Sequence, residues 1–261
     1  MKSRILVAVV GVPLILVVVL WSPVNVLAVC LTVLSSVAAW ELMKCVGALE
    51  HRVLCAVSVL GAALFVIYGS ADLATIYTLL VFSYAVFMGG TVKLQQAMAA
   101  LAAMVFVPYA FASFLRLYGA GFHRGFLLLP LLFSFGSDTF AFFAGRTFGK
   151  HKLAPRVSPH KTVEGAVGGL VGDALCGLIF AFVMNRFFNE NIQYIEIAGL
   201  GIICSVAAQM GDLSFSLIKR EFGIKDYGRI FLEHGGVLDR FDSVIFVAPV
   251  LGIVMPVLRI M

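Results

Sequence analysis

IEIAGLGIICSVAAQMGDLSF, residues 195–215, is an apolar run of about 20 residues, the length at which a helix crosses a bilayer, with Asp212 close to its end. Directly after it come SLIKR (216–220), KD (225–226), HGG (234–236) and DRFD (239–242), and then a second apolar run, 241–259. Carboxylates, basic side chains and a glycine pair are gathered into one short polar stretch between two apolar ones. The pattern reads as helix, polar connection, helix in a membrane bundle. The connection has the composition of a metal and polyphosphate site at a membrane surface.

The rest of the chain repeats the pattern. Hydrophobic residues are 61% of 261 and charged ones 13%, which excludes an ordinary soluble domain. Further apolar segments lie near 5–21, 24–43, 53–69, 72–90, 96–115, 125–144 and 165–186, so the expected fold is an all-α polytopic bundle of about nine transmembrane helices. The opening Met1-Lys2-Ser3-Arg4 resembles a signal peptide. The run behind it reaches Leu20 without a small-residue cleavage site leading into a soluble domain, and it reads as a retained first span. With no internal repeat and no linker, residues 1–261 read as a single integral membrane domain. Residues 1–120 supply N-terminal spans, and 121–261 the spans and loops that carry the chemistry.

With the N-terminus inside, all of the 19 Lys and Arg except Arg116, Arg124, Arg186 and Arg259 fall on the inner side. The positive-inside rule then faces the two large polar loops to the cytoplasm, and those loops carry most of the bias. Such a topology accounts for the net charge of +5 without a nucleic-acid partner, since no aromatic-rich basic domain is present. Cys30, Cys45, Cys55, Cys176 and Cys204 are scattered through apolar stretches with no CxxC spacing and read as small buried hydrophobes.

Asp138 lies in an apolar segment, where a carboxylate costs about 3 kcal/mol on insertion scales unless paired or solvated. A hydrogen bond to a neighbouring helix would satisfy it. A cation or proton site is the sharper reading, because further carboxylates lie at matching depth. Spacing of four places Asp212, Ser216 and Arg220 along one helical face with Lys219 beside them. A membrane anchor would explain Lys219 and Arg220 but not Asp212.

His234-Gly235-Gly236 reads as a tight turn whose glycines allow positive φ and close backbone approach. His234 alone is a poor transition-metal site and suits a structural or phosphate contact. If the last helix begins near Val237, Asp239 and Asp242 share a face of its N-terminal end. Capping would account for Asp239 alone. Two carboxylates aimed at one place suit Mg²⁺, which takes oxygen ligands and substrate phosphates.

The first polar loop, GRTFGKHKLAPRVSPHKTVEG (145–165), offers polyphosphate the hydroxyls of Ser158 and Thr162 and the cations of Arg146, Lys150, Lys152 and Lys161. It is not a P-loop, and Lys150 and Lys152 could equally meet a lipid headgroup. Each polar loop follows a span with a carboxylate near its end, so one inward-facing site built from both is expected.

At these residues the chain resembles a family. S-x-x-K-R, K-D, H-G-G and D-R-x-D, from Ser216 to Asp242, closely resemble the signature of phosphatidate cytidylyltransferases, also called CDP-diacylglycerol synthases. D-T-x-A-x-x-x-G-R, G-K-H-K-L and S-P-x-K-T-x-E-G, from Asp138 to Gly165, look like the second hallmark of that family. Leu232 stands where the signature commonly has Pro or Gly, with Glu233 before the histidine. The resemblance covers roughly the C-terminal half; the N-terminal half carries no such motif.

The resemblance implies transfer of CMP from CTP to phosphatidic acid at the cytoplasmic face of the inner cell membrane. It implies a metal centre on Asp138, Asp212, Asp239 and Asp242, with Mg²⁺ as the main ion and room for a monovalent partner such as K⁺. Lys219 and Arg220, with the carboxylates Asp212, Asp239 and Asp242, would be catalytic. Arg146, Ser158, Lys161, Thr162, Glu164, Ser216, His234, Gly235, Gly236 and Arg240 would contact nucleotide or phosphate. A homodimer is implied by the resemblance alone.

The chemistry agrees, because an ionised phosphate nucleophile and a pyrophosphate leaving group need alignment and charge neutralisation more than a base. An ion-coupled transporter is the chief rival, yet its repeated halves and paired broken helices are absent from the sequence. A transferase acting on another membrane phosphate is a second rival, and a family member that binds without turnover is a third.

Overall fold

In hydrocarbon a peptide group has no water to bond, so apolar runs satisfy their own backbone as helices. The computed structural model describes residues 2–231 and 235–258. Its helices are α1 (Lys2–Trp21), α2 (Val24–Cys45), α3 (Arg52–Tyr68), α4 (Ala71–Phe87) and α5 (Leu94–Gly119). They continue as α6 (Leu129–Phe148), α7 (Val163–Phe188), α8 (Tyr194–Glu221) and α9 (Val237–Leu258). Among the described residues every apolar segment of the sequence coincides with a helix.

Among the described residues five helices are long and apolar enough to cross a membrane: α2, α5, α6 with the 3₁₀ turn Arg124–Leu128 before it, α7 and α8. Helices α3 and α4 are shorter and also apolar. The chain is an integral membrane protein. The expectation of about nine spans is met in its coarser part, an all-α membrane bundle.

One departure from a purely helical chain lies in the first polar loop. Lys152–Ala154 (β1) and Ser158–Thr162 (β2) pair antiparallel, with Lys152 opposite Thr162 and Ala154 opposite Ser158. Helix α6 also runs on to Phe148, so Arg146 sits in its last turn rather than in a loop.

The chain forms two compact units. One comprises Arg116–Ile218 and Asp242–Met261, the other Met1–Leu115 and Lys219–Phe241. In the first, α6 and α7 approach closely because α7 presents small residues. Gly165, Gly169, Gly172, Gly177 and Ala181 are buried, whereas Val167, Val171, Leu175, Ile179 and Phe182 are exposed apolar side chains suited to lipid. A Cβ on Gly168 would overlap that of Ala144, and one on Gly172 would overlap the Phe140 ring. Helix α8 adds to this packing, since a Cβ on Gly177 would stand 2.7 Å from the Ile197 carbonyl oxygen.

In the second unit α2, α3 and α5 pack together. Proline has no N–H to return to the helix, and α5 widens into a π turn at Ala102–Phe106 just before Val107-Pro108. The turn buries Ala103 and Met104, and the Met104 side chain lies against Gly61. Tyr77 closes the cluster by donating to the Gly61 carbonyl at 2.9 Å.

The α6–α7 contact gives a direct test. Gly168→Val adds bulk against Ala144, a side chain that cannot turn away. Overpacking of this kind costs about 1–3 kcal/mol. The melting temperature in detergent is expected to fall by several degrees, and a wild-type melting curve would show that the helices do not meet there.

Candidate functional site

The start of the first polar loop is held by one carboxylate. Glu164, in the first turn of α7, accepts from the backbone N–H of Lys150 at 3.0 Å and of His151 at 3.2 Å, and its Oε1 lies 2.6 Å from His151 Nδ1. Thr162 caps the same helix by accepting from Gly165 N–H at 3.1 Å. Of the residues expected to contact phosphate, Glu164 and Thr162 therefore shape the hairpin. Ser158 lies at its turn end, half-buried, opposite Ala154.

Beside the hairpin is an open pocket of about 380 Å³. Asp138, Arg146, His160, Lys161, Thr162 and Gln209 line it, with Gly145 and Gly165 in its wall. Asp138 is accessible through this pocket. It lies within electrostatic range of Asp212 and Lys161, and Ser243 Oγ approaches it without completing a well-formed hydrogen bond. Lys161 is ion-paired to Asp212, whose other oxygen is 3.3 Å from Ser216 Oγ.

Asp138, Lys161, Asp212 and Ser216 thus share one neighbourhood, as the helical spacing predicts for Asp212 and Ser216. Asp242, in the first turns of α9, accepts from Ser243 N–H at 2.7 Å. Behind the pocket Gln209 donates to the Ala166 carbonyl at 3.0 Å and to Ser205 Oγ at 3.3 Å, and Ser205 shares a 2.7 Å hydrogen bond with Ser137.

The other unit holds Lys219–Phe241, the middle of the motif that runs from Ser216 to Asp242. Lys219 donates to Asp239 Oδ1 at 2.9 Å, and the backbone N–H groups of Tyr227 and Gly236 donate to Oδ2 at 2.8 and 2.9 Å. The pair is buried, with side-chain exposures of 13% for Lys219 and 4% for Asp239, so both carboxylate oxygens are occupied within the protein. Lys219 Nζ also lies 5.5 Å from the centre of the buried Tyr227 ring.

Gly235 has φ +82°, the left-handed conformation expected of the turn. Arg220 is at the exposed end of α8 and Arg240 is exposed on α9. Leu232, Glu233 and His234 lie outside the described residues.

The donor chemistry suits a hard divalent ion on the side of Asp138 and Asp212. Mg²⁺ is commonly held by one or two carboxylates and completes its shell with water and substrate phosphate. Among the described residues no three His, Cys, Asp or Glu side chains converge as a metal site.

The sequence reading missed four groups. His160 and Gln209 line the pocket without belonging to a metal pattern. Glu41 in α2 is fully buried and accepts from the N–H groups of Val237 at 3.1 Å and Leu238 at 2.9 Å. Asp173 in α7 is fully buried and, among the described residues, neither oxygen is hydrogen-bonded; it lies against Gly136, where a Cβ would stand 2.6 Å from its Oδ1. The cost argument applied to Asp138 would have found Asp173 too, since it also interrupts an apolar run.

Residues 2–258 match the sequence model of the cytidylyltransferase family. The chain is 39% identical over 176 residues to a phosphatidate cytidylyltransferase of Staphylococcus aureus (strain COL), covering 67% of this chain and 65% of that protein. A phosphatidate cytidylyltransferase of Staphylococcus saprophyticus is 42% identical over 173 residues, 66% of this chain and 64% of its own length. The chain spans about two thirds of the curated relatives it matches, a little under that share in each case.

An unpaired buried carboxyl contributes only its desolvation cost. Asp173→Ala is therefore expected to leave the melting temperature in detergent unchanged or raised. A clear fall would show that the carboxyl has a partner in the membrane-embedded protein.

Proposed function

The chain belongs to the cytidylyltransferase family, and on that premise we propose that it transfers CMP from CTP to phosphatidic acid. The observation that carries the reading is the pocket of Asp138, Arg146, His160 and Lys161, with Asp212 paired to Lys161, in a chain whose relatives are named for this reaction.

An ionised phosphate oxygen of phosphatidic acid attacks the α-phosphorus of CTP. The new P–O bond forms as the bond from that phosphorus to the α–β bridging oxygen breaks. CDP-diacylglycerol and pyrophosphate are the products, and no proton need be removed from the nucleophile.

The barrier is mainly electrostatic, because an anion must approach a polyanion. Arg146 and Lys161 offer positive charge to the phosphates from the pocket wall, and His160 adds a hydrogen-bonding ring. Lys219 and Arg220 are assigned to the same task by the signature they belong to. Asp138 and Asp212, with Asp242, are the carboxylates that would hold Mg²⁺, and a K⁺ beside it is compatible with a set of oxygen ligands. When bound, the divalent ion neutralises charge on the triphosphate and orients it. Asp239 keeps Lys219 and the turn at Gly236 in place.

The apolar helices support acyl chains remaining in the bilayer while CTP arrives from water. The distribution of Lys and Arg supports an inner-membrane protein with the pocket facing the cytoplasm and about nine spans. The family match runs through almost the whole chain, in keeping with one catalytic domain. No nucleic-acid partner is invoked, and a homodimer is carried by the family resemblance alone.

Purified protein in mixed micelles should release pyrophosphate from CTP only when both phosphatidic acid and Mg²⁺ are present. Lys161→Ala, which strips Asp212 of its partner and the pocket of a cation, should lower kcat/KM for CTP by about tenfold or more. Pyrophosphate release independent of phosphatidic acid, or none with any lipid and metal, would overturn the reading. Wild-type kinetics in Lys161→Ala would remove that residue from the site.

A further inference from the structure

We infer that Glu41, in the second helix and far in sequence from either signature, is the positioning residue that sets the start of α9 and so the placement of the D-R-x-D carboxylates. The inference rests on the proposed cytidylyltransferase reading for its kinetic consequence, but not for its geometry.

The first amides of a helix have no partner within it. At α9 two of them, Val237 N–H and Leu238 N–H, donate to Glu41 at 3.1 and 2.9 Å, one to each carboxylate oxygen. The preceding amide, Gly236 N–H, donates to Asp239 at 2.9 Å. Three consecutive N–H groups are thus divided between two carboxylates, one from α2 and one from α9 itself. The bonds to Glu41 are charge-assisted and shielded from water, because Glu41, Val237 and Leu238 are all buried.

The glycines around the clamp are explained by the same side chain. A Cβ on Gly236 or on Gly228 would overlap the Glu41 carboxylate. Gly228 follows Tyr227, whose N–H is held by Asp239. Glu41 therefore occupies a slot closed on one side by Gly228 and on the other by Gly236, and that slot exists only while both glycines lack side chains. Shortening or neutralising Glu41 frees the first turn of α9, which carries Asp239 and Arg240 and leads into Asp242.

The test compares wild type with Glu41→Gln, which keeps the size but offers one acceptor oxygen in place of two, and with Glu41→Ala. Hydrogen exchange at the Gly236–Leu238 amides in the detergent-solubilised protein reads the clamp itself. Pyrophosphate release reads its consequence. Glu41→Gln is expected to exchange these amides faster and to lose about tenfold or more in kcat, as a small misplacement of reacting groups does, while KM for CTP changes little and the melting temperature stays near wild type. Glu41→Ala is expected to show a larger effect in the same direction, and failure of that variant to fold would leave the Gln variant to decide.

Unchanged exchange at these amides, or unchanged kcat in Glu41→Gln, would overturn the inference. So would a fall in kcat that merely follows a matching loss of melting temperature. A wild-type protein that releases no pyrophosphate would instead retire the functional reading, and the exchange measurement would still decide whether Glu41 holds the helix.

Discussion

A carboxylate away from bulk water is stabilised by positive charge, a hydrogen-bond donor or an ion, and that constraint shapes much of the polar part of this protein. Glu164 binds two backbone amides and the His151 ring and so folds the hairpin between α6 and α7. Asp239 binds Lys219 and two amides and so folds the connection between α8 and α9. Glu41 binds two more amides and fixes where α9 begins. Asp239 and Glu41, both withdrawn from solvent, replace the water that a loop at a soluble surface would use.

The apolar part obeys the complementary constraint. Lipid gives helices no hydrophobic reason to associate, so contact depends on how closely backbones can approach. In α7 the small residues face α6 and α8 while branched and aromatic side chains face outward. This packing brings Asp138 on α6, Lys161 at the end of β2 and Asp212 on α8 into one neighbourhood. The pocket is a product of glycines as much as of charges, since Gly145 and Gly165 form part of its wall.

Pairing also divides residues that the signature alone makes look alike. Asp138, Asp212 and Asp239 are all acidic residues of the two motifs, yet Asp138 opens on a pocket, Asp212 is paired with Lys161 and Asp239 is buried against Lys219 and peptide amides. A carboxylate with both oxygens committed to the fold orders the backbone and side chains it holds. One that lines a cavity can meet a substrate or an ion directly.

The sequence by itself determined the helices and the polar stretches between them. Those features are local: about 20 apolar residues make a span whatever surrounds them, and spacing of three or four places side chains on one face of a helix. It was also sufficient for the positive φ at Gly235, because a glycine pair in a short turn has few other uses. Only the tertiary structure decided which partner each carboxylate takes. Glu41 looks like one acidic residue near the end of an apolar run, and its partners lie 196 and 197 residues further along the chain. Asp173 reads in the sequence as one more carboxylate in an apolar run, and only packing shows both its oxygens without a donor among the described residues. Such pairings depend on how far two backbones can approach across the bundle, and no local periodicity records that distance.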